Sequence, residues 1–150
     1  MSNNTTNMKN KLLLLALFTT TLLSAQQSEI KSTITTFFEG MYTADTVKIK
    51  SVCINGFILQ SVSEGKNGGN LTTESAENFY KQVAAIPSHI KIEERLLGYD
   101  IRTDGAMAHA WTPYAFYIND KLSHKGVNSF TLYNENGNWK IIHIVDTRRK

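Results

Sequence analysis

An α+β fold, with helices on the N-terminal side packed against a strongly curved antiparallel sheet, is the class this sequence predicts. Three observations carry that reading. Segments on either side of residue 60 repeat apolar residues at helical spacing, everything after Pro87 has the two-residue alternation of strands, and short turn dipeptides punctuate that second half. The dipeptides are Asp104-Gly105, Asn119-Asp120 and Asn136-Gly137. Asp-Gly and Asn-Gly suit two-residue hairpins, because both central positions need positive φ. The predicted strands cover about 89–101, 106–118, 122–133 and 139–147, forming a meander. At about 3.3 Å per residue such strands are long, and a long sheet twists and curls around the helices that cover it.

The first 25 residues are set aside from this domain. "MKNKLLLLALFTTTLLSAQQ", from Met8, has two lysines, an apolar run from Leu12 to Leu23 and a small-residue exit at Ser24-Ala25. That is the layout of a secretory signal peptide, and the run is short of the roughly 20 residues a bilayer span needs. Residues 1–25 are therefore expected to be cleaved near Ala25-Gln26, leaving residues 26–150 as one exported domain, periplasmic or secreted, with no membrane attachment; Met8 is an alternative start. Without Lys9 and Lys11, 14 of the 16 basic side chains remain against 13 acidic ones. A near-neutral body argues against nucleic acid as a partner. A single cysteine, Cys53, excludes an internal disulfide framework, so stability must come from a packed core.

Along the chain, "SEIKSTITTFFEGMYTAD" places Ile30, Ile34, Phe37, Phe38, Met41 and Tyr42 on one helical stripe behind a Ser28 cap. "DTVKIKSVC" offers Ile49, Val52 and Cys53 at helical spacing behind Asp45. "GFILQSV" reads as a strand and "SEGKNGGN" as a mobile loop. "TTESAENFYKQVAAIP" reads as a further helix, capped by Thr72 or Thr73 and stopped by Pro87, burying Ala76, Phe79, Tyr80 and Val83.

Two-residue hairpins would set the register and hence the faces. Leu132 then opposes Ile141, Phe130 opposes both His143 and His109, Trp111 opposes Asn128, and Asp100 opposes His109. The face expected inward carries Asp100, Met107, His109, Trp111, His124, Asn128, Phe130, Leu132, Trp139, Ile141, His143 and Val145. The outward face carries Lys125, Ser129, Thr131, Lys140 and Asp146 beside Tyr114, Phe116, Ile142 and Ile144. A β-bulge would invert the assignment beyond it. Polar groups among apolar ones on an inward face point to a ligand pocket rather than a sealed core.

At this point the sequence resembles the nuclear transport factor 2-like superfamily of cone-shaped α+β barrels. The residues that carry the resemblance are "FFEGMYTAD", "DGAMAHAWTPYAFYINDKLSHKGVNSFTLY" and "GNWKIIHIVDTRR". Within it, the chain looks like the exported bacterial SnoaL-like or lumazine-binding-type domains. The superfamily includes ketosteroid isomerases, polyketide cyclases, dehydratases and members that only bind or assemble. In the isomerases an aspartate on the first strand is the base; the matching stretch "NGFILQSV" offers Gln60 and Ser61 and no carboxylate. A non-catalytic domain binding a small, partly apolar molecule is therefore favoured. The alternative is a histidine-dependent isomerase, cyclase or dehydratase.

The candidate catalytic pair is His109 with Asp100, since a carboxylate beside an imidazole fixes its tautomer and raises its basicity; the plainer reading is a structural hydrogen bond. The candidate ligand-binding residues are Trp111, His124, Asn128, Phe130, His143 and Tyr114. Arg148, Arg149 and Lys150 read as a solvated tail, with Arg148 alternatively clamping an acidic ligand at the cone mouth. No His-x-His or His-Glu-x-x-His spacing is present, so no metal site is expected, and no cofactor is expected either. Tyr114, Phe116, Ile142 and Ile144, if outward, predict a homodimer surface.

Overall fold

The computed structural model describes residues 24–66 and 68–149. Nearly all of the expected signal peptide lies outside the described residues; Ser24 and Ala25 belong to the first helix. That helix, α1, runs over 24–42 and is followed by α2 (Thr46–Val52). The predicted stripe packs inward: Ile30, Ile34, Phe37 and Phe38 are buried. Asp45 caps α2 as expected, its side chain accepting from the Lys48 N–H at 2.9 Å. Four strands follow in two groups: β1 (Cys53–Gly65) and β2 (Gly68–Ser75), then, beyond α3 (Ala76–Ala84), β3 (Ile92–Leu96) and β4 (Asp100–Asp104). The long strands β5 (Met107–Ile118), β6 (Lys121–Glu135) and β7 (Asn138–Arg148) complete the fold.

Four boundaries differ from expectation. Ser28, expected to cap α1, lies inside it, because the chain is already helical at Ser24. In place of a loop at "SEGKNGGN", its described residues on either side of position 67 extend β1 and β2 as a hairpin, in which Gln60 pairs with Thr73 and Gly65 with Gly68. Thr72, Thr73 and Glu74 are therefore strand residues, and Ser75 caps α3, accepting from the Asn78 N–H at 3.2 Å. The expected strand 89–101 is two short strands, β3 and β4, which both pair with β5.

The seven strands form one sheet in the order β2-β1-β7-β6-β5-β3, with β4 also on β5. All pairings are antiparallel except β1 with β7, which is parallel. The sheet curls over the helices without closing. Phe37 of α1 and Phe79 of α3 stack with ring centroids 5.7 Å apart, and Phe37 meets Phe130 of β6 edge-on at 6.2 Å. These rings fill the deep end of the cone; burying such side chains and pairing their edges and faces is what holds helices to sheet.

The Asn119-Asp120 and Asn136-Gly137 turns form as predicted, with all four residues at positive φ. Each hairpin then carries one extra residue that changes the register. Between β5 and β6, Tyr117 pairs with Leu122 but Phe116 pairs with His124, leaving Ser123 over. Between β6 and β7, Leu132 pairs with Ile141 but Thr131 pairs with His143, leaving Ile142 over. A bulge of one residue turns every later side chain to the other face.

The consequences correct the expected faces. On β6 they hold: Asn128, Phe130 and Leu132 are buried. On β5 they are inverted: Ala108, Ala110, Thr112 and Tyr114 are buried, while Met107 and Trp111 are 52% and 45% exposed. On β7 they hold for Trp139 and Ile141 and invert beyond the bulge, where Ile144 and Asp146 are buried. Tyr114 and Ile144 are thus inside, and the outward apolar patch on which the homodimer was expected does not form.

Candidate functional site

The mouth of the cone is where polar groups collect on the inward face. β7 brings Asp146 and Arg148, β5 brings Tyr114 and Phe116, β6 brings His124 and Asn128, and β3 brings Glu94. From the helices come Met41, Phe79 and Val83. Together they enclose a cleft of about 280 Å³ that narrows to a small apolar recess beside Phe37, Phe38 and Phe130. Outward it shares Phe116, His124 and Arg148 with a wider mouth of about 760 Å³. The mouth is the larger space, but Glu94, Tyr114 and Asp146 line the cleft behind it.

Glu94 is held from two sides. The Tyr42 hydroxyl donates to the Glu94 carbonyl and accepts from the Glu94 N–H at 3.0 Å, so the end of α1 fixes the backbone of β3. The Glu94 carboxyl accepts from the Asn128 amide at 2.6 Å. Burial pushes its pKa up to about 7; the Asn128 hydrogen bond and the Arg148 charge pull down, and the Asp146 charge pushes up. Removal from water wins, and Glu94 exchanges a proton near neutral pH.

Asp146 is buried and fully partnered. It accepts from the Ser61 hydroxyl, from the Tyr114 hydroxyl at 3.3 Å and from Arg148 Nε at 2.9 Å. The Tyr114 hydroxyl also reaches the Thr147 carbonyl at 2.8 Å. It does so by crossing Gly126, where a Cβ would stand 1.8 Å from the Thr147 oxygen and 2.7 Å from the tyrosine ring. Burial, and then the charge of Asp146, push the Tyr114 phenol up, so it stays a neutral donor. His124 stacks on Phe116 with centroids 4.9 Å apart; burial, followed by the nearby Arg148 charge, lowers its pKa and favours the neutral ring.

The structure gathers four of the eight sequence-derived candidates here: Tyr114, His124, Asn128 and Phe130. The other four stand elsewhere. Asp100 opposes Trp111, and His109 opposes Arg102, because the β4–β5 turn is Gly105-Ala106 rather than Asp104-Gly105. The Asp100–His109 contact is therefore not formed: His109 bonds Ser129 Oγ at 2.9 Å, and Asp100 pairs with Arg102 at 3.5 Å. Trp111 and His143 lie on the outer face, where His143 bonds Gln60 at 3.0 Å. Glu94 and Asp146 were missed. The adjacent isoleucines 141 and 142, which break the alternation, are the one sequence signal that Asp146 could turn inward. Among the described residues no three His, Cys, Asp or Glu side chains are grouped to hold a metal ion. No helix among them is long and apolar enough to cross a membrane.

Comparison with solved structures places the fold. A nuclear transport factor 2-like protein of unknown function from Silicibacter pomeroyi is similar with a TM-score of 0.63 at 14% identity, covering 85% of this chain and 98% of that one. A protein of unknown function from Mycobacterium tuberculosis gives a TM-score of 0.70 at 9% identity, over 87% and 76% of the two chains. A Streptomyces avermitilis protein described as a "putative dehydratase" gives 0.64 at 13% identity, over 85% and 98%. No curated protein matches the chain. A family profile does, over residues 25–145. The chain therefore belongs to the family described as "Putative lumazine-binding", with the nuclear transport factor 2-like cone fold.

Proposed function

We propose that the protein is an exported domain that holds a small, partly apolar molecule in the cleft of its cone. The cleft itself supports the reading: apolar Met41, Leu59, Phe79 and Val83 face a convergent polar set of Glu94, Tyr114, His124, Asp146 and Arg148. An apolar wall with a few fixed polar groups is the usual makeup of a ligand site. Titration calorimetry with cinnamyl alcohol, an uncharged aromatic probe, tests it, with lumazine as a second probe after the family's description. Binding that Met41→Trp abolishes while far-UV circular dichroism stays native supports the cleft; binding unaffected by Met41→Trp contradicts it. Export is tested by mass spectrometry of the extracytoplasmic product, which should begin near Gln26.

A second reading, an enzyme of the isomerase, cyclase or dehydratase kind, is favoured by Glu94 alone. A carboxyl titrating at about 7 is matched to acid–base work near neutral pH. Its test is deuterium wash-in at the α-carbon of 2-tetralone, present in the native protein and absent in Glu94→Gln. The histidine version with Asp100 as orienting carboxylate is set aside, since the two do not meet.

A further inference from the structure

We propose that the ligand is a small carboxylate, its charged group lying at the mouth on the free edge of the Arg148 guanidinium and its apolar body entering the cleft. This rests on the reading of the cleft as a small-molecule site and adds the class of molecule. Among the described residues, Arg148 is the only side chain shared by the recess, the cleft, the mouth and the polar bay beside Thr72 and Gln82.

Its geometry is that of a receiver rather than of a closed ion pair. Nε donates to Asp146 at 2.9 Å, and Asp146 is itself held by Ser61 and Tyr114. That contact uses one edge of the planar guanidinium and fixes its orientation. The terminal nitrogens have no hydrogen-bond partner among the described residues. Two parallel N–H groups on a planar edge match the two oxygens of a carboxylate.

Nor is Arg148 on a loose tail. The Arg149 N–H donates to the Lys125 carbonyl at 2.8 Å and its carbonyl accepts from the Lys125 N–H at 2.9 Å, so β7 is anchored to β6 beyond Arg148. The mouth also carries Arg149 and neutral His124, with Glu64 as its one acidic residue. A cation held by a buried aspartate, with apolar Phe116 and Ile118 beside it, suits an anion with an apolar body.

The test is a charge series on one molecular body: cinnamate, cinnamyl alcohol and cinnamylamine, titrated into the protein at neutral pH. Cinnamate should bind at least about tenfold more tightly than the alcohol, as a charge-assisted pair gives, and the amine most weakly. Arg148→Gln should erase the preference, bringing the ratio of cinnamate to alcohol affinity to about one. If Arg148→Gln does not fold, Arg148→Lys, which keeps a cation beside Asp146, decides: a cinnamate-to-alcohol ratio lowered about threefold or more supports the inference, and an unchanged ratio overturns it. Alcohol or amine binding as tightly as cinnamate overturns the inference and leaves the cleft reading standing. Failure of all three to bind overturns both.

Discussion

The Asn128 amide donates to the Glu94 carboxyl across 2.6 Å, the only side-chain hydrogen bond that carboxyl receives among the described residues. It joins β6 to β3 over the top of the cleft, and Glu94 titrates at about 7 in spite of it. The native state therefore keeps a proton that the unfolded chain releases between about 4.5 and about 7. Where the native state binds more protons, stability falls as pH rises. Glu94 should then cost the fold up to about 3 kcal/mol above pH 7. Glu94→Gln keeps the acceptor for Asn128 and removes the titration. Urea unfolding should show the variant level with the native protein near pH 4.5 and more stable at pH 8; equal slopes with pH in both proteins would contradict this.

Asn128→Leu removes the donor and leaves Glu94 buried. The loss should be small at pH 5, about 1 kcal/mol, where the carboxyl is neutral, and about 1.5–3 kcal/mol at pH 8, where it is charged. Unfolding curves at the two pH values check it. A cost independent of pH would show that Glu94 is not the partner that matters.

Gly126→Ala drives a methyl into the Thr147 carbonyl and the Tyr114 ring at distances no relaxed structure holds. Backbone must move, so a loss of about 1–3 kcal/mol or more is expected, together with weaker binding of any cleft probe. A native melting temperature would refute the close crossing of Tyr114 over β6.

Trp111→Ala separates the two faces. A core tryptophan costs about 3–5 kcal/mol on truncation. Trp111 is 45% exposed on the outer face, so about 1 kcal/mol is expected, with probe binding unchanged. Loss of binding without loss of fold would return Trp111 to the site.

Much of this architecture was legible in the sequence because it rests on local rules. The α1 stripe, the Asp45 cap and the Asn136-Gly137 turn each depend on residues within a few positions of one another. The site was half legible for a different reason. Asn128 and His124 follow β6, whose alternation is unbroken from His124 to Leu132. Asp146 and His143 exchange faces through one extra residue at Ile142, and Trp111 and Tyr114 exchange faces through one at Ser123. Bulges of that kind arise where a long sheet bends around its helices, and local propensity does not mark them. Glu94 was hidden beside Glu93; which of the two faces inward is settled by pairing with β5 and by Tyr42, 52 residues away.

A backbone amide NMR titration with cinnamyl alcohol tests most directly whether the inner mouth of the cone is the ligand site. The largest shifts should fall on Met41, Glu94, Asn128 and Asp146, with Trp111, His109 and His143 still. Shifts confined to the outer sheet face around Trp111 and His143 would contradict it.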